Sequence, residues 1–124
     1  MWRMICDISR REFQKLYDRL EVELTEVGES FYNPMLNGIV EELVSKGLAE
    51  LSNGAIIMKI PDTDWPLICR KSDGGYGYDT TDLAAIKYRT QVMHGDWLIY
   101  VTDEGQSGHF KLIFEAAKLA KWAE

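Results

Sequence analysis

Tyr78 and Asp82 stand four residues apart in the stretch SDGGYGYDTTDLAAIKYR, residues 72–89, behind a cluster of glycines and at the head of an apolar-periodic segment. Across a strand-to-helix corner, that spacing lets an aromatic ring and a carboxylate point into one pocket. A planar cation such as a guanidinium suits such a pair, because the ring face attracts it while the carboxylate accepts two parallel N–H bonds. The same residues have an architectural reading, with Asp82 as a first-turn acid favouring the helix dipole and Tyr78 as a core ring. Residue types alone leave both readings standing. Gly74, Gly75 and Gly77 do not complete a G-x-G-x-x-G fingerprint, since position 80 is Thr80, and no G-x-x-x-x-G-K-[ST] loop occurs.

Nucleophilic hydrolysis needs a Ser or Cys beside a His base, and the chain has two histidines, His94 and His109, neither with a G-x-S-x-G elbow. His94 precedes Gly95 where a helix should end, a place that favours a cation against the helix dipole. His109 follows Gln106 by three residues, in the loop TDEGQSGH after the apolar run WLIYV. The carboxyl end of a parallel strand is where open α/β sheets bind ligands, so Gln106 and His109 are candidate site residues; an incidental capping loop is the competing reading. Asp62 and Asp64 in PDTDWP read as a surface turn rather than an ion site, for want of further carboxylates nearby. Cys6 and Cys69 lie in apolar surroundings without C-x-x-C spacing and read as packed free thiols. No metal centre is expected.

The elements that must position these residues follow from periodicity. Ser9 with Glu12 forms a capping box for a helix over about 9–20, whose stripe is Phe13, Leu16, Tyr17 and Leu20. EVELTEV alternates like a half-buried strand. Pro34 suits a first helical position, Met35, Leu36, Ile39, Val40, Leu43 and Val44 make one face, and Gly47 closes that helix. LAEL, the turn Ser52-Asn53-Gly54 and AIIMKI form a hairpin, joined by a short strand over 66–70. A third helix starts near Thr80 and presents Leu83, Ile86, Tyr88 and Val92. WLIYV reads as a parallel strand buried on both faces, followed by a helix over 106–122. The fold class is α/β.

The chain has 124 residues, enough for a single domain with one core. A net charge of −6 argues against broad electrostatic attachment to nucleic acid, which needs clustered Lys and Arg. No apolar run approaches the roughly 18 residues of a membrane span, and MWRMICDISRR has no secretory core, which suggests a reducing, cytoplasmic compartment. The abrupt run into a helix at residue 9 suggests a piece of something longer.

Three blocks, GESFYNPMLNGIVEELVSKGL, SDGGYGYDTTDLAAIKYR and WLIYVTDEGQSGHFKLIFEAAKLAKW, resemble arginyl-tRNA synthetase, a class I aminoacyl-tRNA synthetase, in that order and over nearly the whole chain. The resemblance implies that Tyr78, Asp82 and Gln106 line an arginine pocket and that His109, in the Q-x-x-H block, lies near the adenylate. It implies a partial Rossmann-like nucleotide-binding fold with a small antiparallel β insertion: about 1–47 the end of its first half, 48–71 the insertion, 72–124 the start of its second half. L-arginine, ATP with Mg, and tRNA are the implied partners of the complete enzyme. HIGH-type and KMSK-type motifs are missing, as is a helical anticodon-binding domain. The chain on its own is therefore expected to be inactive, with no residue of its own assigned to catalysis and no tightly bound ATP. The family's need for tRNA before amino-acid activation points the same way. A free-standing arginine-binding or interaction module is the alternative; a nucleotide-binding protein on half a Rossmann-like sheet rests on fold analogy alone. An open sheet edge makes self-association of such a piece an expectation.

Overall fold

A computed structural model of the chain describes all 124 residues. Helix α1 spans Trp2–Leu20, a 3₁₀ helix Glu29–Met35 leads into α2 at Leu36–Ser45, and strands β1 Ala49–Ser52, β2 Ala55–Met58 and β3 Leu67–Arg70 follow. Helix α3, Tyr78–Lys87, continues as a π-helical turn Tyr88–Val92. A short 3₁₀ turn, Glu104–Gln106, precedes α4 at Ser107–Leu119.

Local signals set most of these boundaries. The Gly47 backbone is left-handed at φ 70°, so the Leu48 N–H donates to Leu43 C=O and the Gly47 N–H to Val44 C=O, both at 2.9 Å. These are the two bonds of a Schellman cap. Asn53 at φ 48° and Gly54 at φ 81° turn the hairpin, which pairs Ser52 with Ala55 and Ala49 with Met58. β2 pairs with β3 antiparallel through an irregularity at Ile56/Ile57, giving the order β1-β2-β3. The inward residues Met58, Leu67 and Cys69 meet Leu36, Ile39, Val40 and Leu43 of α2 and Leu83–Ile86 of α3 in one buried cluster, with Ile113, Ala116 and Ala117 of α4.

Glu42 of α2 fastens the helices together. It accepts from Trp122 Nε1 at 2.8 Å and from Lys87, and lies 2.6 Å from Lys46 Nζ. Lys46 and Lys87 also sit over the Trp122 indole, at 5.7 and 5.5 Å. Burial alone would raise the Glu42 carboxyl, but the bonds from Lys46, Lys87 and Trp122 outweigh it and bring it from 4.5 down to about 2.

Four expectations are corrected. Helix α1 begins at Trp2, so Ser9 lies inside it and Glu12 pairs with Lys15 instead of boxing a cap. Residues 2–8 contain no Gly or Pro to stop the helix from propagating. Residues 22–27 form no strand; they are exposed, and Glu26 binds Arg10 of α1 at 2.7 Å. Pro34 sits within the 3₁₀ turn, and α2 opens only at Leu36. WLIYV at 97–101 forms no strand and is not buried on both faces: Trp97, Ile99 and Val101 are 83, 69 and 92% exposed. A strand exists only through a partner, and the three-stranded sheet places none beside either segment.

Candidate functional site

The SDGG segment is a tight corner in its own right. Gly74 is left-handed at φ 86°, Lys71 N–H donates to Gly75 C=O at 2.8 Å, and Gly75 N–H donates to Asp73 Oδ1 at 2.8 Å. That corner reverses the chain from β3 into α3. Two successive residues of the new helix then sew it back onto the strand. Asp79 Oδ2 accepts the Ile68 N–H at 3.1 Å, and buried Thr80 Oγ1 donates to Cys69 C=O at 2.7 Å. Beneath them, burial and the neighbouring Asp79 charge push the Cys69 thiol up to about 12.

Rigidly placed, α3 projects Tyr78 and Asp82 from the same side of its first turns, as residues four apart must. His109, on the first turn of α4, closes against both. Its Nε2 lies 2.6 Å from Asp82 Oδ2, and the imidazole meets the Tyr78 ring edge-on with centroids 4.8 Å apart. The His109 side chain is only 17% exposed and Asp82 30%, whereas the Tyr78 ring is largely open to solvent. Gln106 ends the 3₁₀ turn just ahead of α4, exposed and without a side-chain hydrogen bond inside the chain. Tyr78, Asp82 and His109 thus form one cluster, while Gln106, three residues before His109 in the chain, makes no side-chain hydrogen bond with any of them.

A row of rings backs the cluster. His109 contacts Phe110 at 5.0 Å, Phe110 contacts Tyr100 at 5.0 Å, and Tyr100 contacts Phe114 at 5.1 Å. The Arg89 guanidinium lies over the Tyr100 ring at 5.2 Å. Burial pushes the Tyr100 phenol up despite the nearby Arg89 charge, and its buried Oη misses hydrogen-bond geometry with every neighbour. The sequence pairs a ring with a carboxylate; the structure adds an imidazole and an aromatic backing.

The family profile described as tRNA synthetases class I (R), catalytic domain, matches residues 1–124. The chain belongs to this family. Arginine–tRNA ligase, chloroplastic/mitochondrial, of Arabidopsis thaliana is 54% identical over 98% of this chain and 19% of its own length. The Homo sapiens cytoplasmic arginine–tRNA ligase is 50% identical over 98% of the chain and 18% of its own length. The crystal structure of arginyl-tRNA synthetase from Plasmodium falciparum superposes with a TM-score of 0.91, at 42% identity, over 99% of this chain and 22% of that one. The chain therefore spans about a fifth of the length of the relatives it matches.

Within this class I synthetase domain, sequence reasoning missed Asp79. Its Oδ1 lies 3.4 Å from His109 Nδ1, so the imidazole stands between two carboxylates, one facing each ring nitrogen. Asp79 drew no reading of its own from the sequence. Its spacing of three from Asp82 was the available signal, because residues three apart share a helix face. His94 falls at the end of the π-helical turn with φ 55°, a left-handed closing position, far from this chemistry in sequence and outside the cluster. Asp62 is likewise a turn residue, at φ 59°. A cleft of about 660 Å³ beside Leu98 and Trp122 is lined in part by Tyr100 and Phe114 of that ring row, and one of about 500 Å³ lies beside Phe13 and Tyr17; Tyr78, Asp82 and His109 line neither. The cluster joins α3 to the first turn of α4, with Tyr78 open to solvent and Asp82 and His109 more sheltered.

Proposed function

We propose that Tyr78 and Asp82 recognise the guanidinium of L-arginine, and that the protein to which this chain belongs attaches arginine to tRNA through arginyl-adenylate, using ATP with Mg. The observation that carries the reading is convergence: the Tyr78 ring and the Asp82 carboxylate both reach the one imidazole of His109. A flat cation brought to that spot meets a ring face and an anionic acceptor together. No lysine or arginine pairs with Asp82, so its charge is not already spent on a permanent cation. On this reading Gln106 completes the amino-acid pocket, and His109 borders the adenylate.

ATP does not fit the cluster itself. Its charged groups are Asp79 and Asp82, which repel phosphates, and no cationic lysine or arginine joins them. Recognition of the amino acid is the part this chain's residues supply, and positioning is what such recognition contributes to the reaction. A Rossmann-like arrangement of the whole catalytic domain belongs to the same proposal and is supported by the family alone. A cytoplasmic location is supported by two unpaired cysteines and by relatives bearing that name, although others are organellar. No helix is long and apolar enough to cross a membrane.

Asp82→Asn tests the reading, since it keeps the shape and removes the charge. Calorimetry should show arginine binding weakened by about 2–5 kcal/mol, the usual loss when one partner of a desolvated charge pair is removed. Citrulline, the neutral isostere, should bind nearly as before. Unchanged arginine binding together with a lower melting temperature would reduce Asp82 to a first-turn acid of α3.

A further inference from the structure

The carboxylate assigned to the guanidinium makes one hydrogen bond within the chain, the one that His109 Nε2 donates to Asp82 Oδ2 at 2.6 Å. Each carboxylate oxygen has two acceptor positions, so this bond fills one and leaves both on Oδ1 and one on Oδ2. A guanidinium fork needs one position on each oxygen. Asp82 can therefore accept from His109 and from arginine together.

What that bond supplies is orientation. The last torsion of an aspartate has a broad preference, so the carboxylate plane is not fixed by the side chain's own rotamer. His109 is well placed to fix it. The imidazole is 17% exposed and stands edge-on to the Tyr78 ring at 4.8 Å and to the Phe110 ring at 5.0 Å. It comes from the first turn of α4, whose Ile113, Ala116 and Ala117 share the buried core with Leu83–Ile86 of α3. Asp79 Oδ1, 3.4 Å from Nδ1, lies beyond good hydrogen-bond distance.

Resting on the guanidinium reading, we propose that His109 is a positioning residue that favours a guanidinium over an ammonium, by holding the Asp82 carboxylate with one free acceptor position on each oxygen turned toward the ligand. The two parallel N–H bonds of a guanidinium are lost when the carboxylate plane turns, because both oxygens must face the fork. An ammonium is a compact point charge with rotatable donors and is served by either edge. The contribution of His109 thus falls on the choice between cations rather than on attraction to charge.

Calorimetry on the 124-residue chain tests this, with L-arginine, L-lysine and L-citrulline as probes and two variants. His109→Leu removes the donor and keeps apolar bulk, whereas His109→Gln keeps an N–H donor near the place of Nε2. His109→Leu should weaken arginine by about 3- to 10-fold, the worth of one orienting hydrogen bond, and leave lysine as in the parent. His109→Gln should recover most of that loss. Arginine binding unchanged or tightened in His109→Leu, equal losses for arginine and lysine, or no recovery in His109→Gln each overturn the proposal and leave the guanidinium reading standing. A parent chain that binds arginine no better than citrulline removes that reading, and this inference with it. In a sample labelled with ¹⁵N-histidine, the Nε2–H of His109 should be at least as protected from exchange with water when arginine is bound as when it is absent. Faster exchange on binding means that the ligand has broken the bond, and overturns the proposal without any substitution, so a variant that failed to fold would not spare it.

Discussion

Tyr78 and Asp82 differ in how much of a ligand's charge they can answer. The Tyr78 ring is largely solvent-exposed, so a cation over its face gains about 0.5–1 kcal/mol, and Tyr78→Ala should weaken arginine by that amount in the calorimetry used for Asp82→Asn. Asp82, more sheltered, should dominate. Thr80 is fully buried and contributes structure: its hydroxyl is donated to Cys69 C=O. Thr80→Val keeps the shape and leaves that carbonyl without its donor, so thermal unfolding should show a loss of about 1–3 kcal/mol. Beside it, the Cys69 thiol is buried and held as a thiol up to about pH 12, whereas Cys6 is partly exposed. A thiol reagent at pH 8 should therefore label Cys6 first and reach Cys69 only on unfolding. The ring-plus-carboxylate pair was legible in the sequence because both partners lie on one helix. Asp79 was not singled out, since its partner His109 comes from another helix thirty residues on and only packing reveals the contact.

Among the elements, α2, α3 and the end of α4 are held together by Glu42, while α1 buries no residue at all. The Glu42 carboxyl is lowered from 4.5 to about 2 on folding, so its contribution is complete above the unfolded value and is lost as pH falls from about 4.5 toward 2. Glu42→Gln should lower stability at pH 7 by about 1–2 kcal/mol, a charge-assisted figure reduced for the partial exposure of the lysines, and the gap to the parent should close on acidification through that window. Urea unfolding at pH 7 and pH 3 measures both. For α1 the apolar residues Phe13, Leu16 and Leu20 are more than half exposed, and the main tie is the Arg10–Glu26 pair at the surface. Its amides should exchange with deuterium well before those of α2 and α3, because a helix without buried contacts opens at little cost.

Taken whole, the molecule is a compact core formed by α2, α3, α4 and a three-stranded sheet, with apolar surface left bare along α1 and along residues 97–101. Exposed apolar area of that kind drives association. The 124-residue chain alone should accordingly sediment as more than a monomer at high concentration. It should also fail to sustain arginine-dependent exchange of pyrophosphate into ATP, since it holds neither ATP-handling motif and its site is acidic. What the sequence by itself determined are the features decided within a few residues. The Gly47 cap, the Asn53-Gly54 turn, the face of α2 and the cores of α3 and α4 all depend on backbone sterics and helical spacing, which neighbours along the chain decide. Only the tertiary structure decided that EVELTEV and WLIYV are not strands, that α1 is unburied, and that His109 stands between Asp79 and Asp82. Strand pairing, burial and side-chain contact are relations between distant segments, and an alternating or apolar pattern states what a segment could bury without stating what is there to cover it.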